Sequence, residues 1–478
     1  MKTILFAFTF LCLSSISSAQ ILTSSPYSRY GIGEMNLQTF AAPVAMGGSF
    51  IAYHQDTIAP FTINTANPAG LAGIRLTVFE LGGQAQLTKI SSEDITLRRK
   101  NTNFSYGSVG FPLKRFGGAA FGIMPYSTVG YKITSTQENT PVGTMNYIFQ
   151  GDGGINKAFL GLGVKPFKNQ IWNFYNSAEA DTLIKYKQTT KYKRIKFGKQ
   201  LLSELAIGAM GNYLFGSINQ TTDIIYPGSI VYFNTKRQRS VQVNDFTING
   251  GVQTHFTIDS IKSKGGHRLL KEKIKIGIGA FVNTPMGIQA KQSNIIYNYS
   301  LDGFGVERPK DTVLNSQNIN GTIKLPLEMG LGFSIKKGEK LTVLMDAVTT
   351  NWSGFKYFDT PSVDFKNSYR MSAGLNYVPN KLAYGSANYI KRIQYRLGVS
   401  YSDGYLDLKN TAISNYFVSA GLGFPVGTGR FDDIAIINIS AQYGKMGTLS
   451  NKLLQEEYVR LVLGFTFNKR WFIKYKYD

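Results

Sequence analysis

The chain has 478 residues, of which 17% are charged, with 50 glycines, 32 phenylalanines and 28 tyrosines. Its mean hydropathy of −0.11 and its single cysteine, Cys12, exclude a disulfide framework within the chain, a cysteine-held metal and, with no apolar run near the ~20 residues required, a helical membrane span. The formal net charge of +23 points to an anionic partner of some kind.

Lys2, the apolar run Ile4 to Leu13 and the small residues Ser17-Ser18-Ala19 predict a secretory signal over residues 1–19. Thr9-Phe10-Leu11 before Cys12 lack the small residues of a lipoprotein site. Removing the signal leaves a chain of net charge +22 with no thiol. An exported chain rarely meets nucleic acid. Outer-membrane lipid and lipopolysaccharide, or a periplasmic or outer-membrane protein, are the partners its charge suits.

Residues 20–73 carry Gly, Pro, Ala and Asn without clear alternation. From Ile74 onward a period of two sets in, most cleanly near the C-terminus. Tyr369, Met371, Ala373, Leu375 and Tyr377 alternate with Arg370, Ser372, Gly374 and Asn376. Ile393 to Tyr401 and Val459 to Phe467 repeat the pattern. Alternation and turn signals predict fourteen strands, at 74–90, 102–112, 116–134, 146–166, 200–218, 238–257, 272–290, 318–335, 340–352, 366–378, 389–403, 412–424, 432–445 and 456–468. An even count, abundant aromatics and one apolar face predict an all-β fold: a 14-stranded antiparallel transmembrane β-barrel, residues 74–468, with a periplasmic tail over 469–478. A soluble β-sandwich would bury that apolar face and carry fewer consecutive aromatics on it. A barrel this wide either conducts water or needs filling, and residues 20–73 are the natural plug.

Two groups of residues carry a family likeness. Ala41-Ala42-Pro43-Val44-Ala45-Met46-Gly47-Gly48-Ser49-Phe50, then Asn67-Pro68-Ala69-Gly70-Leu71-Ala72, resemble the hatch of FadL-type outer-membrane transporters. Leu325-Pro326 to Gly332, Asp346 and Asn351-Trp352-Ser353-Gly354-Phe355 follow that family's order. Residues 396–424 are also similar, while Gly151 to Phe167 and Arg470-Trp471-Phe472-Ile473-Lys474 look like its Bacteroidetes branch. The resemblance implies an N-terminal hatch in the lumen, gated by Met46, Gly47, Gly48, Asn67, Pro68 and Ala69. It implies passage of hydrophobic or amphipathic small molecules, with lateral release through a kink in the third strand, where this chain has Pro125. A tolerated bulge is the plainer account of that proline.

If the first strand runs outward, the periplasmic turns hold Lys114-Arg115, Lys165, Lys168, Lys262, Lys264, Arg268, Lys271, Lys336, Lys337, Lys340, Lys381, Arg430 and Lys469-Arg470. The connection 169–199 is long for such a turn and adds Lys185, Lys187, Lys193, Arg194 and Lys196. This basic face suits either lipid phosphates or a docked protein. By parity Arg370, Arg392, Arg396 and Arg460 face the lumen with Glu328 and Asp346. They form either a site for the acid end of an amphiphile or ion pairs within the barrel and hatch.

No nucleophile elbow, phosphate-cradling loop or zinc signature is present, and His54, His255 and His267 have no metal spacing. Neither enzymatic activity nor a cofactor is expected. Two functions fit: passive uptake of a hydrophobic or amphipathic molecule, or an accessory role in an outer-membrane complex such as type IX secretion, docking through the basic face.

Overall fold

The computed structural model describes residues 23–55, 61–113, 116–139, 143–168, 189–227, 232–259, 273–362, 364–383, 385–426 and 433–469. The expected signal and the tail beyond Lys469 lie outside these. Fourteen strands form the wall: β1 (Thr77–Ser91), β2 (Thr96–Pro112), β3 (Gly117–Asn139), β4 (Gly143–Val164), β5 (Ala206–Ile225), β6 (Asn234–Asp259), β7 (Lys273–Asn283), β8 (Glu328–Lys337), β9 (Leu341–Thr350), β10 (Ser368–Tyr377), β11 (Gln394–Ser402), β12 (Asn415–Val426), β13 (Asp433–Gly447) and β14 (Gln455–Lys469). Each pairs antiparallel with the next. β14 returns to β1 with Lys469 opposite Thr77, which closes the barrel.

The rim where β1 begins and β14 ends is called the near rim, and the opposite one the far rim. The alternation read from the sequence maps onto the two faces. Leu397, Leu461 and Phe465 point outward and are 59%, 51% and 46% exposed, while Arg396, Val462 and Thr466 between them are buried. A closed wall with an apolar outer belt satisfies its backbone internally and tolerates hydrocarbon outside.

Two predicted strands differ from the structure because proline interrupts them. The stretch expected at 272–290 stops at Asn283, before Thr284-Pro285-Met286, and the one expected at 318–335 is cut at Leu325-Pro326-Leu327. Proline lacks the ladder donor. Between these breaks a hairpin, Gly287–Leu301 and Glu307–Lys324, rises from the far rim. Its first strand pairs with Asn234–Val243 of β6, so the wall stands tallest there. The strand expected at 200–218 begins only at Ala206, because a helix, α1 (Thr189–Ser203), precedes it. The strand expected at 389–403 begins at Gln394, after a 3₁₀ turn over Ser386–Arg392. β2 and β5 run several residues farther at the far rim than expected. Thr96–Lys100 are exposed on both faces, and where both faces meet water no alternation marks a strand.

The apolar core lies inside the ring. Near the near rim Phe40, Ile63 and Leu71 pack against Tyr106, Phe159 and Met210 of the wall. Nearer the far rim Tyr27 and Ile32 pack with Trp352, Phe355, Phe365 and Leu406. The N-terminal segment thus supplies much of the apolar surface that the inward wall faces need, and the hydrophobic effect holds it there.

Candidate functional site

The candidate site is the lumen, and its occupant is the segment 23–76. Its helical pieces among the described residues are the 3₁₀ turn Pro26–Arg29, the short helix Ala41–Val44 and the 3₁₀ turn Pro68–Gly73, and the last two carry the residues expected to gate the barrel. Asn67 organises the last. Its Oδ1 accepts from the Ala69 amide at 3.1 Å, while its Nδ2 donates to the carbonyls of Ile51 and, on β6, Val252 at 3.0 and 3.1 Å. The Met46-Gly47-Gly48 turn requires glycine: Gly47 and Gly48 have φ of +69° and +81°. A Cβ on Gly47 would lie 2.4 Å from the Val399 carbonyl oxygen, so this turn rests on the backbone of β11. The residues expected to gate the barrel are therefore all buried or half-buried against its wall.

Wall side chains fasten the segment mainly by its backbone. Asp346 on β9 accepts from the amides of Phe50 and Ile51 at 2.6 and 3.0 Å. Glu80 on β1 accepts from the Ile63 amide at 3.0 Å. Asn468 on β14 both accepts from the Phe61 amide and donates to its carbonyl. Ser440 and Ser334 donate to the carbonyls of Ala41 and Ala52 at 2.6 and 3.0 Å. Toward the far rim, Ser25 Oγ donates to Glu456 Oε1 at 2.7 Å. A hydrogen bond of this kind contributes about 0.5–1.5 kcal/mol net, and leaving its buried partner unpaired costs about 1–3 kcal/mol. Because these bonds attach to strands around the whole ring, they hold the segment in one place.

The six charges expected to cluster in the lumen separate. Arg370, Arg460 and Glu328 line a cavity of about 300 Å³ beside the segment, together with Lys157, Tyr405 and Trp352. Asp346 is committed to the segment's backbone. Arg396 is buried elsewhere and donates to Asn438 Oδ1 at 2.8 Å and to Gln394. Arg392 is half-buried and precedes the first residue of β11. It ends the 3₁₀ turn at the near rim, with its guanidinium 5.2 Å from the Tyr389 ring, because strand parity does not extend into a 3₁₀ turn. Arg460 donates to Gln86 Oε1 at 2.8 Å, an amide rather than one of the expected carboxylates. Lys157 and Glu80 were missed, although their parity on β4 and β1 marks them as inward.

Beside Pro125 the wall pairing is interrupted. β2 and β3 pair only from Gly107↔Ile123 to Pro112↔Gly118. Farther along, β2 keeps its pairing with β1 alone, and β3 shifts register against β4 between Pro125 and Ser127. The freed edge of β3 is taken by the segment. Glu34 and Met35 pair with Thr128 and Ser127, the Asn36 amide donates to the Tyr126 carbonyl at 3.1 Å, and Gln38 Nε2 donates to the Pro125 carbonyl at 3.1 Å. A smaller cavity here shares Asn36, Leu37, Thr39 and Arg460 with the larger one.

At the near rim Lys336 and Lys381 reach Glu339 at 3.4 and 3.5 Å, and Lys165 reaches Glu204 at 2.5 Å. Burial pushes the Lys381 ammonium down to about 8, against the pull of Glu339. Lys337 and Lys340 are exposed. His54 of the segment stacks on His255 of β6 with ring centroids 4.3 Å apart, and His255 Nε2 lies 3.4 Å from Glu204. Of the residues expected to dock a partner, Lys185 and Lys187 lie outside the described residues, as do Lys114, Arg115, Lys262, Lys264, His267, Arg268, Lys271, Arg430 and Arg470. Lys193, Arg194 and Lys196 belong to α1, which does not hang below the rim. Phe197 packs edge-on against Phe256 at 5.1 Å, and Thr254 Oγ1 donates to the Leu201 carbonyl at 2.8 Å. Thr254 and Phe256 share the outward face of β6 with the exposed Val252 and Ile258, so α1 lies on the outer wall.

The toluene transporter TodX of Pseudomonas putida shares this fold, at a TM-score of 0.53 and 15% identity, over 92% of this chain and 100% of that one. A FadL homologue of Pseudomonas aeruginosa matches at 0.50 and 11%, over 92% of this chain and 100% of that one. Curated proteins give no match. With its closed wall and apolar belt, this barrel is of the bacterial outer membrane. The BamG family model matches residues 1–172 and 190–478, nearly the whole length, and the chain therefore belongs to the BamG family.

Proposed function

We propose that this protein is a non-catalytic accessory subunit of an outer-membrane protein complex, built on a FadL-like barrel whose lumen is permanently plugged by a hatch over residues 20–73. The near rim faces the periplasm in this reading. The observation that carries it is the fastening of the segment to strands around the ring, with Glu34–Gln38 filling the wall interruption at Pro125. A hatch held by its backbone suits a rigid scaffold better than a moving gate. Membership of the BamG family supports the same reading. The exposed Lys337 and Lys340 and their neighbours then offer an acidic periplasmic partner a cationic rim. Affinity purification from native membranes in mild detergent tests it. One protein should be recovered in fixed proportion and lost when Lys337 and Lys340 are replaced by glutamate; recovery of the barrel alone would sink the idea.

A second reading, uptake of a hydrophobic or amphipathic small molecule with lateral release beside Pro125, is favoured by one observation. The 300 Å³ cavity and the cavity at the wall interruption share four lining residues. Ligand-dependent flux into proteoliposomes would support it over the scaffold reading.

A further inference from the structure

Helix α1 (Thr189–Ser203) precedes β5 at the near rim. Its sequence over 194–203, Arg194-Ile195-Lys196-Phe197-Gly198-Lys199-Gln200-Leu201-Leu202-Ser203, carries three cations and no acid. It rests on Thr254 and Phe256, positions whose outward neighbours on the same strand, Val252 and Ile258, are 45% and 46% exposed and belong to the lipid-facing belt. The helix therefore packs on the outward face of β6 at its near-rim end. Phe197 and Leu202 remain 48% and 43% exposed after packing, so its apolar surface is only partly used by the wall. A short basic helix on the outer wall with an exposed Phe and Leu can set those side chains toward the acyl boundary while its long cationic side chains snorkel toward the phosphates.

We propose that α1 is an interfacial helix that gathers anionic phospholipid around this side of the barrel. Phe197 and Leu202 enter the acyl region where the belt ends, and Arg194, Lys196 and Lys199 reach the phosphates of the leaflet at the near rim. The occupant is lipid because the surface is continuous with the belt that already faces lipid and because the helix charge is of one sign. The inference goes beyond the scaffold reading and does not depend on it; it requires only that the barrel sits in a membrane.

The test uses the full mature chain in vesicles of phosphatidylcholine with and without phosphatidylglycerol. Spin-labelled lipids report which headgroup the protein prefers at its perimeter. Wild type should enrich phosphatidylglycerol about threefold over phosphatidylcholine, and R194Q/K196Q/K199Q should lose most of that enrichment while keeping the heat-modifiable gel mobility of a folded barrel. Because a surface change elsewhere could shift lipid preference, a second measurement fixes the location. A bimane on Leu202→Cys should be quenched by nitroxide on the upper acyl chain and protected from aqueous iodide. Equal enrichment by wild type and triple variant, or quenching by iodide alone, would overturn the proposal. Protection from both quenchers in native membranes would also overturn it, since a protein would then cover the helix.

Discussion

Asn468 holds both polar groups of one peptide residue: its Oδ1 accepts from the Phe61 amide at 2.8 Å and its Nδ2 donates to the Phe61 carbonyl at 3.2 Å. At this point the last barrel strand grips the backbone of the N-terminal segment rather than a side chain. Asn468→Ala leaves two buried backbone groups unpaired, each costing about 1–3 kcal/mol. Lower thermal stability in detergent, with earlier proteolysis between residues 50 and 70 than in the rest of the chain, is the expected outcome.

Asp346 does the same work for two amides. Asp346→Ala frees the Phe50 and Ile51 N–H groups and should destabilise the fold by about 2–4 kcal/mol. Asp346→Glu keeps the charge but displaces it by a methylene and should lose less. Denaturant unfolding followed by gel mobility separates the two. Equal stability of wild type and Asp346→Ala would show that the segment is held by apolar packing alone.

His54 gives the segment a pH dependence. Its imidazole is buried against His255, and burial pushes its pKa well below the ordinary 6.5. The folded chain then refuses a proton that the unfolded chain accepts. Above pH 6.5 the residue contributes no pH dependence; below it, stability falls by about 1.4 kcal/mol per pH unit until the folded group also titrates. His54→Gln should lessen the slope between pH 6.5 and 5 by about 1.4 kcal/mol per pH unit, leaving the share of His255, which burial lowers to about 4, and an unchanged slope would place the acid sensitivity elsewhere.

The interruption at Pro125 predicts a consequence for the N-terminus. Deleting residues 20–38 removes Glu34, Met35 and Gln38 from the edge of β3 and leaves its carbonyls open. The deleted protein should admit small hydrophobic dyes through the wall, while the intact one should admit few. The helix Ala41–Val44 and the near-rim half of the segment should remain in place, because their own wall contacts are untouched.

The wall was legible in the sequence because period-two alternation reports directly on a surface with lipid outside and polar groups inside. It failed where that contrast failed. Thr96–Lys100 and Glu307–Asn315 are exposed on both faces and carry no alternation. Arg392 was placed in the lumen by extending parity through Ser386–Arg392, where the backbone turns as a 3₁₀ helix. The lumen itself was only half legible. Parity placed Arg370, Arg396 and Arg460 inside, but not which of them would share a cavity, because that depends on the path of a segment with no periodicity of its own. Helix α1 was masked by its lysines, which read as an extended basic turn.

A barrel that serves as a scaffold holds its partner at the near rim. In-cell photo-crosslinking from position 337 or 340, with position 313 on the far-rim hairpin as control, tests this. One protein should be crosslinked from both near-rim positions and not from 313. Lipid adducts alone at 337 and 340, alongside ligand flux through the intact barrel, would contradict it.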